Sequence, residues 1–586
     1  MEDIELLLLK EFEQQVRKNF QREAVCAFDL SISYGELDYK STLLANYLYN
    51  MELDNNKVFG IYDNGSTNHF IAMIACLKVG KPFINLDVRA PQNYNSEILS
   101  QLKISALIVG SSENVGNFSN NYRILNVEEI LKNPLSQLPS YHHFPSKFAY
   151  VVATSGTTGT PKLVVKTLEA LNVSFEQIKQ SLPFLFVGAI QQTAPLHYAF
   201  GLDQSLIFLC AGVTICIDAQ EDYVNLKHYY HCIEKHQTQT IFWASPVLKL
   251  LSRQPQLFKG LPSCLKYIVV GGEPLIVSAA FLFELRNREI ILLNNYGCTE
   301  MGTMFFTTVA IPLLEIQEYN RIPIGNPLFG LEVALSSDSL NDKGELLIYT
   351  KRIFNNYYND DILMNSKVSL SPNKNGKVCF FTGDIAERIN GNYYIVGRLD
   401  NCVNVRGFRV EIESIERHIS QIIKGLDCCV IPQKNEYDET TLICFYQEGF
   451  KNTPQILKEL EEVLPSYMIP SRFFSMLHIP KLNNGKIDRK KLLHFFETES
   501  KQSSCKYDIN NLEQRIKNLL EEMLKYRLSS DFREHTFDEL GLDSLSFVDF
   551  VCKVEFSEKI VIDDEVIVNK KLRTVNDLIN LLESKK

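Results

Sequence analysis

The feature that most restricts the fold is an alternation of short apolar runs with longer segments, extending from about residue 20 to 350. The runs KVFGIYD (57–63), SALIVG (105–110) and KYIVVGG (266–272) are rich in β-branched and aromatic residues and end at glycine or aspartate. Intervening segments such as STNHFIAMIACLKVG (66–80) are long enough for helices. Strands that alternate with helices predict α/β layers around a mainly parallel sheet.

The pattern of apolar runs and turn residues changes beyond this region, which predicts a multidomain protein. Short strands separated by Gly, Asn and Asp turns form a β-rich subdomain at 344–400, so the large domain takes residues 1–399. Residues 400–495 mix strands and helices and predict a small α+β domain. The polar stretch 496–507 lacks apolar periodicity and predicts a linker. Residues 508–586 carry amphipathic helices and predict an all-α domain.

Composition excludes several classes of protein. With 45% hydrophobic and 11% aromatic residues, the 586-residue chain can build real cores and is not disordered throughout. A net charge of −10 argues against nucleic-acid binding. No run of 18 apolar residues predicts a membrane span, and the acidic start MEDIELLLLKEF does not resemble a signal peptide. The 14 cysteines show no CxxC pair and no Cys/His cluster at metal-ligand spacing, which predicts a reducing, cytoplasmic setting.

A Ser/Thr/Gly-rich loop carries the strongest chemical signal. The segment TSGTTGTPK follows the apolar strand FAYVVA, and its hydroxyls, glycine amides and lysine are suited to surrounding phosphate oxygens. Its spacing differs from that of a Walker A loop. Taken alone, the segment could also be an ordinary surface loop. The candidate phosphate-binding residues are Thr154, Ser155, Gly156, Thr157, Thr158, Gly159 and Lys162.

Five further motifs follow in order: NNYGCTE (294–300), TGD (382–384), GRLDNCVNVRGFRVEIESIE (397–416), LPSYMIP (464–470) and NGKIDR (484–489). Together with the phosphate-binding segment, this set resembles the adenylate-forming (AMP-binding) superfamily, and specifically the adenylation domains of nonribosomal peptide synthetases. The resemblance covers about residues 20–495. It implies that a carboxylic acid is activated with ATP and Mg²⁺ as an acyl adenylate, with release of pyrophosphate.

The resemblance implies a nucleotide site. The loop 154–162 would bind the β- and γ-phosphates, Glu300 would hold Mg²⁺, and Thr299 would lie at the α-phosphate. The adenosine would be bound by residues of four motifs, with Tyr296 stacked on adenine, Asn294, Gly271 and Gly272 along its edge, and Asp384 and Arg398 at the ribose. Individually, Asp384 could be only a turn residue and Tyr296 only a core residue.

The resemblance also implies a mobile small domain. Pivoting near Asp400, this domain would bring Lys486 to bridge the substrate carboxylate and the ribose, which makes Lys486 a catalytic residue with Thr299 and Glu300. In isolation, Lys486 would be read as a solvated hairpin lysine. Four positions differ from the sequence that is usual in the family: Leu163 stands where a glycine commonly follows the lysine of the phosphate-binding segment, Cys298 replaces a proline, Asn356 replaces a glycine, and Asn404 stands where many relatives carry lysine.

The segment FDELGLDSLSFVDF (537–550) resembles the attachment site of acyl and peptidyl carrier proteins. This resemblance implies that Ser544 carries 4′-phosphopantetheine and that residues 508–586 form a four-helix carrier (thiolation) domain. A phosphopantetheinyl transferase would then be a partner. The alternative is that Asp543 or Ser544 only caps a helix N-terminus.

The identity of the acid substrate is the part of the function that the sequence determines least. Ala199 stands where relatives that activate α-amino acids carry an aspartate, and the PLH opening (195–197) looks more like acyl- or aryl-acid-activating relatives. Asp203 is an alternative partner for an ammonium group, or else a solvated loop acid. Trp243, the sole tryptophan, is either a pocket wall or core. The predicted pocket residues are Ala199, Phe200, Asp203, Trp243, Val269, Gly271, Asn295, Thr303 and Met304.

These motifs predict a ligase that forms an acyl adenylate and loads the acid onto its own carrier. The acid is an amino acid or an aryl or small acyl acid, and a separate condensation or tailoring enzyme would take the loaded acid in trans. Two alternatives stay open: a coenzyme A ligase of the same superfamily, and a non-catalytic binding module that keeps the fold.

Overall fold

The structure of the chain is a computed structural model. It describes residues 7–27, 30–51, 57–110, 118–132, 147–154, 161–217, 226–244, 248, 260–272, 275–308, 319–336, 342–350, 356–358, 368–369, 377–399, 402–405, 408–423, 426–434, 440–447, 453–481, 487–502, 512–524, 528, 532–537, 540, 542, 547, 550–551, 554, 562 and 572–584. These residues belong to two compact units. The first comprises Met1–Ala219, His231–Ile415 and Lys458–Met468, and the second Gln220–Tyr230, Glu416–Leu457 and Ile469–Lys586.

The first unit contains a large, mainly parallel sheet, as the alternating pattern predicts. Within the described ranges it has nine strands, in the order Asn326–Pro327, Gly302–Thr308, Ile291–Cys298, Tyr267–Gly271, Thr240–Ala244, Ala189–Gln192, Thr214–Ile217, Glu23–Ala27 and Leu30–Ser33. The six strands from Ile291–Cys298 to Glu23–Ala27 run parallel to their neighbours, and the outer ones are antiparallel.

A second sheet of the same unit carries the strand that precedes the predicted phosphate-binding segment. Its described strands follow the order Asn356–Tyr357, Lys162–Thr167, Phe148–Thr154, Phe83–Asn85, Val58–Tyr62, Ile104–Val109 and Ile124–Asn126. Phe148–Thr154 and Lys162–Thr167 pair antiparallel, with Thr154 opposite Lys162. The two ends of the phosphate-binding segment are therefore held side by side.

Helices cover these sheets and begin at capping residues. Ser66 caps the helix Thr67–Val79, and Gly80 ends it in the left-handed region at φ 71°. That helix is buried along its whole length, which explains why it is apolar on every side. The helices before residue 300 whose bounds the structure describes are Leu7–Lys18, Tyr34–Tyr49, Thr67–Val79, Gln92–Ser100, Phe118–Asn121, Val127–Lys132, Leu168–Ser181, Ala199–Cys210, Leu226–Lys235 and Ala279–Asn287, with a 3-10 turn at Pro183–Leu185.

The predicted β-rich subdomain is present as an antiparallel sheet of the first unit. Its described strands are Glu332–Leu335, Lys343–Thr350, Val378–Ile389, Val368–Ser369 and Asn392–Arg398. The structure also has two pairs of short strands. Ile276–Ser278 pairs with Tyr319–Arg321, and Cys402–Val405 pairs with Phe408–Glu411. The second pair is a hairpin and is called the 402–411 hairpin below. The 3-10 turn Ser466–Met468 also belongs to this unit.

The second unit contains an α+β layer and a helical C-terminal segment. The layer has the strands Cys428–Lys434, Thr440–Gln447 and Arg472–Met476, with the helices Ile412–Ile422, Thr453–Glu461 and Arg489–Gln502 nearby in sequence. Arg489 bonds both carboxylate oxygens of Glu416 at 2.7 and 3.0 Å, and its guanidinium donates to the carbonyl of Val430 at 2.7 Å. Arg489 therefore ties the start of its helix to the sheet.

One boundary differs from the sequence prediction. The helix Arg489–Gln502 continues into the segment 496–507, which the sequence assigns to a linker. Residues 497–502 are polar and give no apolar periodicity, but Glu, Lys and Gln are good helix formers and extend an existing helix at little cost.

The C-terminal segment is helical wherever its described residues form regular structure. Helices run from Leu512 to Leu524 and from Val575 to Ser584, with a 3-10 turn at Phe532–Glu534. Positions 547, 550, 551 and 554 are helical as well. Their side chains pack with both helices in one apolar cluster, consistent with an all-α carrier domain. None of the helices described is both long and apolar enough to cross a bilayer.

Candidate active site

Asp384 lies at the centre of a hydrogen-bonded cluster that joins two sheets of the first unit. It stands on the strand Val378–Ile389, and its side chain is mostly buried. Tyr296 donates to its Oδ2 at 2.5 Å, and Arg398, its cross-strand partner, donates to its Oδ1. The Asp384 amide donates to the Thr382 hydroxyl at 3.0 Å. A buried strand carboxylate held by a phenol and a guanidinium is more than a turn residue.

Tyr296 keeps its proton in this cluster. Burial raises the pKa of its phenol well above 10, and the Asp384 carboxylate raises it further. The hydroxyl is thus a permanent donor to Asp384, and its ring lines the adjoining cavity. An aromatic face at a cavity wall is suited to stacking on a purine.

Residues of four predicted motifs converge on that cavity. The predicted nucleotide-site residues along its wall are Gly272, Asn294, Tyr296, Thr299, Asp384 and Arg398. Asn295, which the sequence assigns to the acid pocket, lines it too. The side-chain amide of Asn294 donates a hydrogen bond through Nδ2 to the Pro323 carbonyl at 2.8 Å. A Cβ at Gly271 would lie 2.9 Å from the carbonyl oxygen of Asn295, so the close approach of these two strands requires glycine there.

Glu300, the predicted metal ligand, is buried beside a cation that the sequence analysis missed. Its Oε1 lies 3.4 Å from Nη1 of Arg409, which lines the cavity. Carboxylate oxygens are ligands that Mg²⁺ prefers, so the donor chemistry of Glu300 fits a magnesium ion. Arg409 belongs to the 402–411 hairpin, whose sequence was read only as a hinge region.

The same hairpin holds two further groups at the site. Asn404 donates through Nδ2 to the carbonyl of Gly272 at 2.7 Å, so the residue that departs from the family pattern contacts the predicted adenine edge. Lys162, the cation of the phosphate-binding segment, bonds Oε1 of Glu411 at 2.7 Å, and the Glu411 side chain is only 3% exposed. In this arrangement Lys162 has a carboxylate as its counter-ion.

Stacked rings hold the hairpin in place within the first unit. Phe408 stacks on Tyr467 with ring centroids 4.1 Å apart, and the His197 ring lies parallel to Phe408 at 6.3 Å. Burial lowers the pKa of His197, although Asp87, 3.6 Å away, opposes this shift. His197 belongs to the PLH segment and Tyr467 to LPSYMIP, so these two motifs meet at the hairpin.

The predicted acid pocket is brought together only in part. Ala199 begins the helix Ala199–Cys210, and Phe200 packs on Phe242 with centroids 5.8 Å apart. Phe242 is the register partner of Val269, and both belong to the same core cluster. Neighbouring strand residues point to opposite faces, so Trp243 faces away from Phe200 and Val269. The structure therefore places Phe242, and not Trp243, beside them, and Trp243 is fully buried.

Asp203 has an ionic partner inside the protein. Its Oδ2 lies 3.2 Å from Nζ of Lys166, and the two side chains are 7% and 2% exposed. Asp203 is therefore neither a solvated loop acid nor a carboxylate waiting for an ammonium group from solution. Lys166 was not singled out from the sequence, since it lies on the strand Lys162–Thr167, whereas Asp203 lies on the helix Ala199–Cys210.

We expect Asp203→Asn to destabilise the protein. The change leaves the Lys166 ammonium buried without a carboxylate, and breaking a buried pair in this way costs about 3–5 kcal/mol. Urea unfolding measures the effect. The double variant Lys166→Met/Asp203→Leu should recover most of the loss because it removes both charges. A variant of wild-type stability that loses only amino-acid activation would instead assign Asp203 to the substrate ammonium.

Several residues of the predicted site lie outside the part of the chain that the structure describes. Ser155, Gly156, Thr157, Thr158 and Gly159 fall outside the described residues, as do Asp400, Lys486 and Ser544. Thr303 and Met304 lie on the strand Gly302–Thr308, but their side chains are not described. Lys481 and Ile487, which flank the segment containing Lys486, pair as an antiparallel bridge.

Comparisons with known proteins found two matching families. The family described as AMP-binding enzyme matches residues 12–358, and the phosphopantetheine attachment site family matches residues 514–582. Gramicidin S synthase 2 of Brevibacillus brevis is 25% identical over 557 residues, which is 93% of this chain but 12% of that protein. The chain thus spans about an eighth of that relative's length.

Two solved structures share the fold. One, a nonribosomal peptide synthetase protein containing adenylation and PCP domains, covers 98% of this chain and 96% of its own, with a TM-score of 0.79 and 21% identity. The other, o-succinylbenzoate CoA synthetase from Bacillus subtilis, covers 82% of this chain and 98% of its own, with a TM-score of 0.70 and 18% identity.

Proposed function

The chain belongs to the family of AMP-binding enzymes, and from this we propose that it activates a carboxylic acid with ATP and loads it onto its own carrier segment. In the first step a carboxylate oxygen bonds to the α-phosphorus of ATP, and the bond to pyrophosphate breaks. In the second step a thiol bonds to the acyl carbon, and AMP leaves. The similarity to nonribosomal peptide synthetases over most of the chain supports this order of domains.

One observation carries the proposal: a single cavity collects the side chains that an adenylating enzyme needs. Asp384 offers carboxylate oxygens, the group best suited to accept hydrogen bonds from ribose hydroxyls. Tyr296 and Arg398 hold that carboxylate in one orientation. Thr299 lies on the same wall, near Arg409 and Glu300. Positive charge beside the phosphates favours the transition state of the first step.

Two groups that the reaction needs have residues suited to them. Glu300 would hold Mg²⁺, which when bound neutralises phosphate charge. Ser544 would carry 4′-phosphopantetheine, which when bound supplies the thiol that accepts the acyl group. Lys162 would exchange Glu411 for a phosphate oxygen when ATP enters, because both partners are anions competing for one ammonium group.

The small domain supplies the remaining catalytic cation in this proposal. We keep the division into residues 1–399, 400–495 and 508–586, with Asp400 as the pivot and Lys486 delivered to the carboxylate and ribose. For the acid, the buried side chains of Phe242 and Val269 and the partly buried side chain of Phe200 indicate a neutral, largely apolar pocket, suited to an amino acid with an apolar side chain or to an aryl or small acyl acid.

Partners follow from the chemistry. A phosphopantetheinyl transferase would modify Ser544, and a condensation or tailoring enzyme would take the loaded acid in trans. The setting we propose is cytoplasmic, because the cysteines in the described part of the chain form no disulfide. A coenzyme A ligase is the competing function, favoured by the fold shared with a CoA synthetase. Product analysis with free coenzyme A separates the two. A non-catalytic binding module would show no pyrophosphate exchange.

We expect Asp384→Asn to weaken ATP use by about 10–100-fold, because it removes a charged acceptor worth about 1.5–3 kcal/mol per hydrogen bond. Pyrophosphate exchange as a function of ATP concentration measures the change in KM. Glu387→Gln is a matched control, since Glu387 is a carboxylate on the same strand and does not line the cavity. Equal effects of the two substitutions would remove Asp384 from the nucleotide site.

A further inference from the structure

The nine-stranded sheet brings two cysteines and a histidine together, away from the cavity residues described above. The sequence shows no Cys/His cluster at metal-ligand spacing, because these residues are far apart along the chain. In the fold, the Sγ atoms of Cys26 and Cys216 and a ring nitrogen of His236 all lie within 4.8 Å of one another. Both thiols are buried, and His236 is intermediate.

Rigid elements hold each of the three side chains. Cys26 and Cys216 are register partners on the adjacent parallel strands Glu23–Ala27 and Thr214–Ile217, so their side chains project from the same face. His236 directly follows the helix Leu226–Lys235, and its amide donates to the Cys232 carbonyl at 3.0 Å. The arrangement therefore does not depend on a long loop.

A carboxylate completes the cluster. Oε2 of Glu23 accepts a hydrogen bond from the Cys26 thiol at 3.5 Å and lies 4.0 Å from Nδ1 of His236. The Glu23 side chain is 52% exposed, so the fourth position faces solvent and gives an ion a route of entry. Its backbone is fixed, because the Glu23 carbonyl accepts a hydrogen bond from the Thr214 hydroxyl at 2.7 Å.

We propose that Cys26, Cys216, His236 and Glu23 bind a zinc ion. Two thiolates, one imidazole and one carboxylate are a tetrahedral zinc donor set, with bonds of about 2.3 Å to sulfur and about 2.0–2.2 Å to nitrogen or oxygen. Such bonds place neighbouring donors roughly 3.3–3.8 Å apart in a tetrahedron. The Cys26–Glu23 separation of 3.5 Å and the Glu23–His236 separation of 4.0 Å are close to this range, and the Cys26, Cys216 and His236 donors lie within 4.8 Å of one another, so binding requires side-chain movements that draw the donors together.

The ion has a structural role in this proposal. It joins two strands near one edge of the sheet to the end of the helix before the strand Thr240–Ala244. Four protein ligands close the coordination shell, which is the pattern of structural rather than catalytic zinc. The site is independent of the proposed nucleotide chemistry, so either assignment can fail without the other.

Cobalt substitution in the reduced full-length chain tests the site. We expect the chelator-treated protein to bind one Co²⁺ with a thiolate-to-cobalt charge-transfer band, and one equivalent of Zn²⁺ to displace it. The Cys26→Ser/Cys216→Ser variant should lose the band. Cys210→Ala, which removes a buried thiol outside the cluster, and Cys298→Ala, which removes the thiol near Glu300, should retain it. Elemental analysis should find one zinc per wild-type chain.

The His236→Gln variant is a second test in case the double variant misfolds, because His236 is partly exposed and the change is conservative. Removing a residue that only hydrogen-bonds to a metal ligand lowers metal affinity about 10–100-fold. Removing the ligand His236 itself should therefore lower zinc affinity at least tenfold. The proposal is overturned if wild-type protein shows no charge-transfer band, or if the band survives in the double variant. It is also overturned if the pair forms a disulfide, seen as loss of two hydrogens in the intact mass, while no metal binds under reducing conditions.

Discussion

Replacing Ser544 with alanine should abolish covalent loading of the chain while pyrophosphate exchange continues at the wild-type rate. The two steps are separable because adenylate formation, as proposed, uses the nucleotide site of the first unit together with Lys486, whereas Ser544 takes part only in the second step. Phe537 packs on Phe547 and Phe550 with ring centroids 4.7 and 5.7 Å apart, so described residues before and after Ser544 contact one another. These contacts anchor the segment on both sides of Ser544.

Intact-mass spectrometry after treatment with a phosphopantetheinyl transferase, ATP and acid measures the loading. Ser546→Ala is the matched control, since it removes a hydroxyl two positions away and should load like the wild type. Loading that persists in Ser544→Ala would move the attachment to another residue. Loss of loading in both variants would indicate a damaged helix and not a specific attachment serine.

Lys486→Ala should nearly eliminate adenylate formation and spare the transfer of acyl groups from a supplied acyl adenylate. Lys486 would orient the attacking carboxylate and offset the negative charge that gathers where this anion meets the phosphate in the first transition state, and removal of one such group costs about 10²–10³ in rate. Transfer from the adenylate does not form that charge, so its rate should change little. Pyrophosphate exchange measures the first step, and single-turnover loading from synthetic adenylate measures the second.

Lys490→Ala is the control for this experiment. Lys490 lies four residues on, is exposed at the start of the helix Arg489–Gln502, and has no predicted role in either step. Its variant should keep both rates. An equal loss of both steps in Lys486→Ala would contradict the assignment of Lys486 to adenylate formation alone.

The sequence predicted the elements of the fold well because each is specified locally. The strands Val58–Tyr62 and Tyr267–Gly271 fall within the apolar runs that predicted them, Ile104–Val109 begins one residue before its run, and the hairpin lies within its motif. The linker was less predictable, because polar helix formers continue a helix without leaving an apolar pattern. Asp384 and Tyr296 were predicted through the order of the motifs, and the structure brings them into contact.

The residues missed by sequence reasoning are those fixed by non-local contacts. Glu411 with Lys162, Arg409 with Glu300, and Asp203 with Lys166 are pairs distant in sequence, and no spacing rule connects them. Trp243 stays a predicted pocket residue, and the structure adds that it is fully buried next to Phe242 on the same strand. Strand side chains alternate with a period of two, so these two neighbours project from opposite faces of the sheet.

In the proposed function, one chain both activates an acid and retains it covalently. The most direct measurement is the intact mass of the phosphopantetheine-bearing protein after incubation with Mg²⁺, ATP and a panel of amino, aryl and short acyl acids. We predict a mass increase equal to one acid minus water, dependent on ATP, for at least one acid of the panel. An unchanged protein mass together with an acyl-coenzyme A product in solution, when free coenzyme A is added, would contradict the claim.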